Sequence, residues 1–94
     1  MEMDVKEIFI FYKSKYFSLD VNFNIKVQDL KEKIRIFTFL NPNNQKLGVV
    51  SDKNLTEGEQ KFFIIPDDNN YETLYNIGLM SGDRIYVVDK NLFN

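Results

Sequence analysis

Leu74-Tyr75-Asn76-Ile77-Gly78-Leu79-Met80-Ser81-Gly82-Asp83-Arg84-Ile85-Tyr86-Val87-Val88 reads as three pieces in a set order. Leu74 to Leu79 is a compact apolar turn, and Gly82-Asp83 is a bend. Arg84 to Val88 then alternates, with Ile85 and Val87 on one face, the period of a half-buried strand. A strand with one apolar face needs a second layer to cover it. The rest of the chain has to supply that layer.

Upstream, Glu7 to Phe11 alternates, with Ile8 and Ile10 on one side and Phe9 and Phe11 on the other. Tyr16 to Val21 alternates again, with Phe17, Leu19 and Val21 together. Lys13-Ser14-Lys15 lies between the two runs, which predicts a β-hairpin. Asn22 to Asn24 is polar, and the period then changes. Val27, Leu30 and Ile34 fall at i, i+3 and i+7, so the spacing predicts one amphipathic helix from about residue 26 to 37. Lys26 is a poor cap for it, and Pro42 ends it. Gln45 to Val50 reads as a short strand, and Lys61 to Ile65 is strand-like. Pro66-Asp67-Asp68-Asn69-Asn70 is a turn. Asp89 to Asn94 reads as a frayed tail. A hairpin, a helix and returning strands make an α+β layer in which Val27, Leu30 and Ile34 bury against Ile8, Ile10, Phe17, Leu19, Val21, Ile85 and Val87.

The 94 residues suit one compact domain over 1–94. With no Cys and no His, the chain lacks disulfides, thiolate metal sites and the commonest general base. Ser14, Ser18, Ser51 and Ser81 sit in no nucleophile motif, and the four glycines form no phosphate loop. Asp67-Asp68-Asn69-Asn70 with Glu72 lacks the spacing of a calcium loop. These features point away from an enzyme, a metal and a cofactor. No apolar run approaches the ~20 residues that span a bilayer, and the charged start, Met1 to Glu7, is not a signal peptide. A net charge of −2 argues against nucleic acid as the main partner. Lysines crowd the first half and acids the second, as two solvated faces or as a means of steering a charged partner.

The closing segment, Leu74 to Val88, resembles that of ubiquitin-like domains. Leu40-Asn41-Pro42-Asn43-Asn44-Gln45-Lys46-Leu47 resembles the Ile-Pro-Pro-Asp-Gln-Gln-Arg-Leu stretch of ubiquitin, and Asp52-Lys53-Asn54-Leu55 its Gly-Lys-Gln-Leu turn. The match runs ungapped from Val21 to Val49 and again from Leu74 to Val88. The resemblance implies a β-grasp roll, a mixed sheet of four or five strands with one helix packed across it. It also implies a non-catalytic protein-interaction module. Residues 56–73 exceed the matching ubiquitin segment and read as an insertion, an extra hairpin or loop at the core edge. The other alignment makes Lys61 to Ile65 the third strand of the sheet.

Laid on ubiquitin's recognition patch, Gly48 stands at the central isoleucine, Tyr86 at the histidine, Val88 at the valine and Lys46 at an arginine of the rim. Phe9 and Phe11 project from the same outer face. The expected partner-binding set is therefore Phe9, Phe11, Lys46, Gly48, Tyr86 and Val88, unless the insertion folds back over it. Lys31 matches a buried lysine of ubiquitin, with Glu57 or Glu59 as candidate partners or its stem snorkelling to water. Ile36, Phe37 and Phe39 read as packed under a neighbouring loop, or as a second apolar surface.

The resemblance implies a monomeric adaptor of the cytoplasm, or of cytoplasm and nucleus, that docks to a receptor or proteasome-type subunit of the ubiquitin–proteasome system. A second reading comes from Gly82-Asp83-Arg84-Ile85-Tyr86-Val87-Val88-Asp89, which is similar to the Gly-x-Arg-Ile-x-Val-Ile-Asp of ubiquitin-like domains in tubulin-folding cofactors. A third is a conjugated modifier, which would require a Gly-Gly end that these residues lack.

Overall fold

The computed structural model describes residues 5–51 and 61–93. Val5–Tyr12 (β1) and Lys15–Asn22 (β2) form the hairpin, antiparallel from Val5↔Asn22 to Tyr12↔Lys15. The turn between them is Lys13-Ser14, with Lys13 at φ 55°. The helix, α1, runs Val27–Thr38. Gln45–Ser51 (β3), Lys61–Ile64 (β4) and Arg84–Asp89 (β5) complete a five-stranded sheet in the order β2-β1-β5-β3-β4. β5 runs parallel to β1, and every other pairing is antiparallel. This is the β-grasp roll that the resemblance implied. Gln45–Ser51 takes the inner position beside β5, and Lys61–Ile64 forms the edge. Of the 56–73 segment, residues 56–60 lie outside the described residues.

The periods seen in the sequence decide the core. Ile8 and Ile10 of β1, Leu47 and Val49 of β3, and Ile85 and Val87 of β5 point to the helix side and are buried. Val27, Leu30 and Ile34 close over them and are fully buried. Each such side chain contributes ~1.5–3 kcal/mol before chain entropy is subtracted. Phe17 and Leu19 are only partly buried and pack at the margin of this cluster. Phe23 falls in the stretch expected to be polar, yet it is fully buried, with Tyr75 edge-on to its ring at 5.6 Å. Its neighbours Asn22 and Asn24 carry the polarity, joined by a hydrogen bond from Asn24 N to Asn22 Oδ1.

Lys26 is a poor side-chain cap, and the chain supplies another. Asp29 Oδ2 accepts from the Lys26 amide at 3.1 Å. The carbonyls of Glu72 and Asn70 accept from the Val27 and Gln28 amides, each at 2.9 Å. First-turn amides have no partner inside their own helix, and here the segment after the Pro66 turn supplies one. Leu74, which is buried, bonds its amide to Ile25 O in the same strip. At the far end Phe39 stops the helix at φ 62°, its amide bonded to Arg35 O. The Gly82-Asp83 bend then clamps the last strand to the first. Gly82, at φ 88°, donates to Glu7 O, and Asp83 O accepts from Phe9 N.

The tail is not frayed as expected. Lys90–Phe93 makes a turn of 3-10 helix, and Lys90 Nζ lies 2.9 Å from Asp67 Oδ1. An ion pair to the Pro66 turn holds the start of a segment whose own sequence shows no reason for order.

Candidate functional site

The sheet face opposite the helix is open. Strand register sets one row across it: Ile64, Gly48, Tyr86, Phe11, Tyr16. Side chains directly opposite on neighbouring strands touch, and the three rings of this row stack. Tyr86 and Phe11 are 4.9 Å apart at 20°, and Phe11 and Tyr16 are 5.6 Å apart at 22°. The row on one side holds Lys46 and Val88; the row on the other holds Phe62, Val50, Arg84 and Phe9.

Gly48 has no side chain, so the face sinks there into a trough of about 500 Å³. Lys46, Gly48, Tyr86 and Val88 line it together with Phe62 and Ile64 of β4 and with Asp67 and Lys90. A Cβ on Gly48 would stand 3.0 Å from Phe62 Cε1 and 3.5 Å from Ile64 Cδ1. These two residues lean over the position that carries the isoleucine in ubiquitin. Of the six residues expected at the site, four line the trough. Phe11 backs it by stacking on Tyr86, and Phe9 shares the face one row away. β4 does not fold back over the patch; it widens it, with Phe62 61% exposed, Ile64 42% and Tyr86 39%.

Phe62 and Ile64 were missed because either parity of the Lys61 to Ile65 run looks the same in sequence. Pairing with β3 decides which face each residue takes. Asp67 and Lys90 were missed because nothing local joins a turn to a tail.

The rim carries Lys46, Lys90 and one carboxylate. The hydrogen bond from Lys90 holds the Asp67 carboxyl below its ordinary range. Behind them Lys31 is 2% exposed, and its Nζ donates to Asn70 Oδ1 at 2.9 Å. Burial lowers its pKa and Lys90 adds to this, while Asp67 opposes it. The candidate partners Glu57 and Glu59 lie outside the described residues; Asn70 is the acceptor found. Gln45 Nε2 ties the same turn of helix to β3 through Lys31 O at 2.8 Å. The site thus offers apolar walls, an aromatic floor edge and a cationic rim, the equipment to hold an apolar side chain beside an acidic one.

Of the two expectations for the helix end, the covered one fails for Ile36 and Phe39. Ile36 is 70% exposed and Phe39 90%, so no described residue covers them, while Phe37 stacks on Phe17 at 4.7 Å.

A family model of the ubiquitin-like domain matches residues 11–94. The chain belongs to the ubiquitin-like domain family. Members of this family are generally non-catalytic and mediate protein interactions. Among solved structures, this ubiquitin-like domain is similar to that of tubulin-binding cofactor B (TM-score 0.74, 17% identity, 99% of this chain and 98% of that one). It is also similar to the C-terminal ubiquitin-like domain of mouse tubulin-specific chaperone e (0.70, 14%, 93% and 88%). A third is the corresponding domain of Plasmodium falciparum Dsk2 (0.65, 19%, 90% and 97%). At these identities the likeness is one of fold. No curated protein sequence matches the chain.

Proposed function

We propose that this ubiquitin-like domain is a non-catalytic docking module that receives a partner protein in the outer-face trough. The observation that carries the reading is the trough itself: three strands meet at Gly48, and Phe62, Ile64, Tyr86 and Val88 stay accessible around it. Exposed apolar surface of this kind, rimmed by charge, is what binding sites present, and aromatic residues are common anchors. The 56–73 insertion then has a role, because β4 builds one wall. Lys46 on the rim favours a partner with an acidic residue beside its apolar one.

Two partner classes follow. A ubiquitin–proteasome receptor in the cytoplasm or nucleus is supported by the patch positions shared with ubiquitin, Lys46 and Val88. The tubulin-handling reading is supported by Gly82 to Asp89 and by the similarity in fold to two tubulin cofactors. Immobilised wild-type and Tyr86→Ala/Val88→Ala proteins, challenged in parallel with purified proteasome and with αβ-tubulin, separate them. The expected result is retention of one of the two and its loss in the double variant, with circular dichroism unchanged. Retention that survives the double variant, or none with wild type, would refute docking at this face.

A further inference from the structure

The aromatic row on the outer face stops one ring short. Tyr16, Phe11 and Tyr86 stand in register on β2, β1 and β5. Their rings stack at 5.6 Å and 4.9 Å, close to the spacing of about 4.8 Å between neighbouring strands. The next place in the same row is Gly48 on β3, and beyond it stands Ile64 on β4. One face of the Tyr86 ring is taken by Phe11; the other looks over Gly48 into the trough. Among the described residues no ring stacks on that second face. What stands over Gly48 is the tip of Phe62, which leans in from the neighbouring row, where it is paired with Val50. Phe62 is mostly exposed, so little holds its ring there.

A gap one strand wide, beside the bare face of a ring, offers an incoming ring the offset stacking that an aliphatic side chain cannot make. Charge sets what accompanies that ring. Lys46 lies one row further along β3, opposite Val88. Asp67, the one carboxylate among the residues lining the trough, is bonded to Lys90. The Lys46 ammonium is therefore the charge that a partner meets, and a carboxylate complements it. We propose that the place over Gly48 is the seat of an aromatic side chain of a partner protein. The incoming ring replaces the tip of Phe62 and stacks on Tyr86 as the fourth ring of the row, and Lys46 receives an acidic residue beside it. This rests on docking at the outer face and names the partner's anchor.

Acetyl-Trp-Glu-amide, acetyl-Leu-Glu-amide and acetyl-Trp-Gln-amide, each titrated into isotope-labelled protein and followed by NMR, read the seat directly. The first should shift the Gly48 α-protons by its ring current. It should bind roughly two- to ten-fold more tightly than the leucine peptide, the advantage that an aromatic pair carries. Its advantage over the glutamine peptide should vanish in Lys46→Gln. Tyr86→Leu should erase the preference for tryptophan with circular dichroism unchanged, and Tyr86→Phe, which keeps the ring, should retain it. A leucine peptide that binds as tightly as the tryptophan one would overturn the inference, as would Gly48 α-protons that do not move. Retention of proteasome or tubulin that Tyr86→Leu leaves intact and Tyr86→Ala/Val88→Ala abolishes would overturn it too, while docking at this face stood.

Discussion

Gly48 shows how one missing side chain can make a site. Its place is occupied from above by the Phe62 ring, 3.0 Å from where a Cβ would stand. That ring is mostly exposed and can swing aside. Gly48→Ala should therefore change stability by less than about 1 kcal/mol, the ring's displacement being offset by the ~0.5–1 kcal/mol that alanine gains over glycine within a strand. Gly48→Leu should instead fill the trough and abolish partner retention while the fold persists, measured by pull-down beside a thermal melt. Lys31 poses the opposite problem, a cation enclosed by protein. Its folded pKa lies below its ordinary value of 10.5 because burial disfavours the charged form. Between the folded value and 10.5 the unfolded chain binds more protons than the native one, so this group makes stability rise with pH across that window. Urea melts at neutral pH and near pH 10 should show that increment in wild type and not in Lys31→Met. Asn70→Ala, which takes away the ammonium's acceptor, should cost ~1–3 kcal/mol at neutral pH and less at the alkaline end.

The helix is the element that depends most on distant parts of the chain. Its apolar stripe is written in the sequence, but its N-terminus is completed by carbonyls of Asn70 and Glu72, more than forty residues on. Its C-terminus ends on Phe39, held left-handed at φ 62° with its side chain in solvent. A non-glycine residue in that region is strained by about 1–2 kcal/mol, and glycine is the usual choice there. Phe39→Gly should raise stability by ~0.5–1 kcal/mol after glycine's own entropic cost, measured as an upward shift in the urea midpoint. β4 shows what an element can hide. Its strand character was legible, but its face was not, since a one-residue slip exchanges Phe62 and Ile64 for Phe63 and Ile65.

For the whole molecule the margin is thin, since a chain of this size has a net stability of about 5–14 kcal/mol. Leu74 sits where the segment that caps the helix enters the core, and it is fully buried. Leu74→Ala should cost ~2–5 kcal/mol, enough to lower the thermal midpoint by many degrees, and it should loosen the helix start and the trough's Asp67 corner together. The spacing of Val27, Leu30 and Ile34, the alternation of Ile8 with Ile10 and of Ile85 with Val87, and the Gly82-Asp83 bend determined by themselves the layered fold, and the resemblance of Leu40 to Leu47 and of Leu74 to Val88 pointed to the family. Those signals are local, because apolar period and turn chemistry are read within a few residues. Lys46, Gly48, Tyr86 and Val88 were legible too, as positions matched to a known patch. Tertiary structure alone decided that Phe62 and Ile64 complete the trough, that Lys90 reaches Asp67, that Phe23 is core, and that Asn70 receives Lys31. Each of these is a meeting of segments far apart in the chain, and the local period and turn chemistry around each residue carry no record of its distant partner.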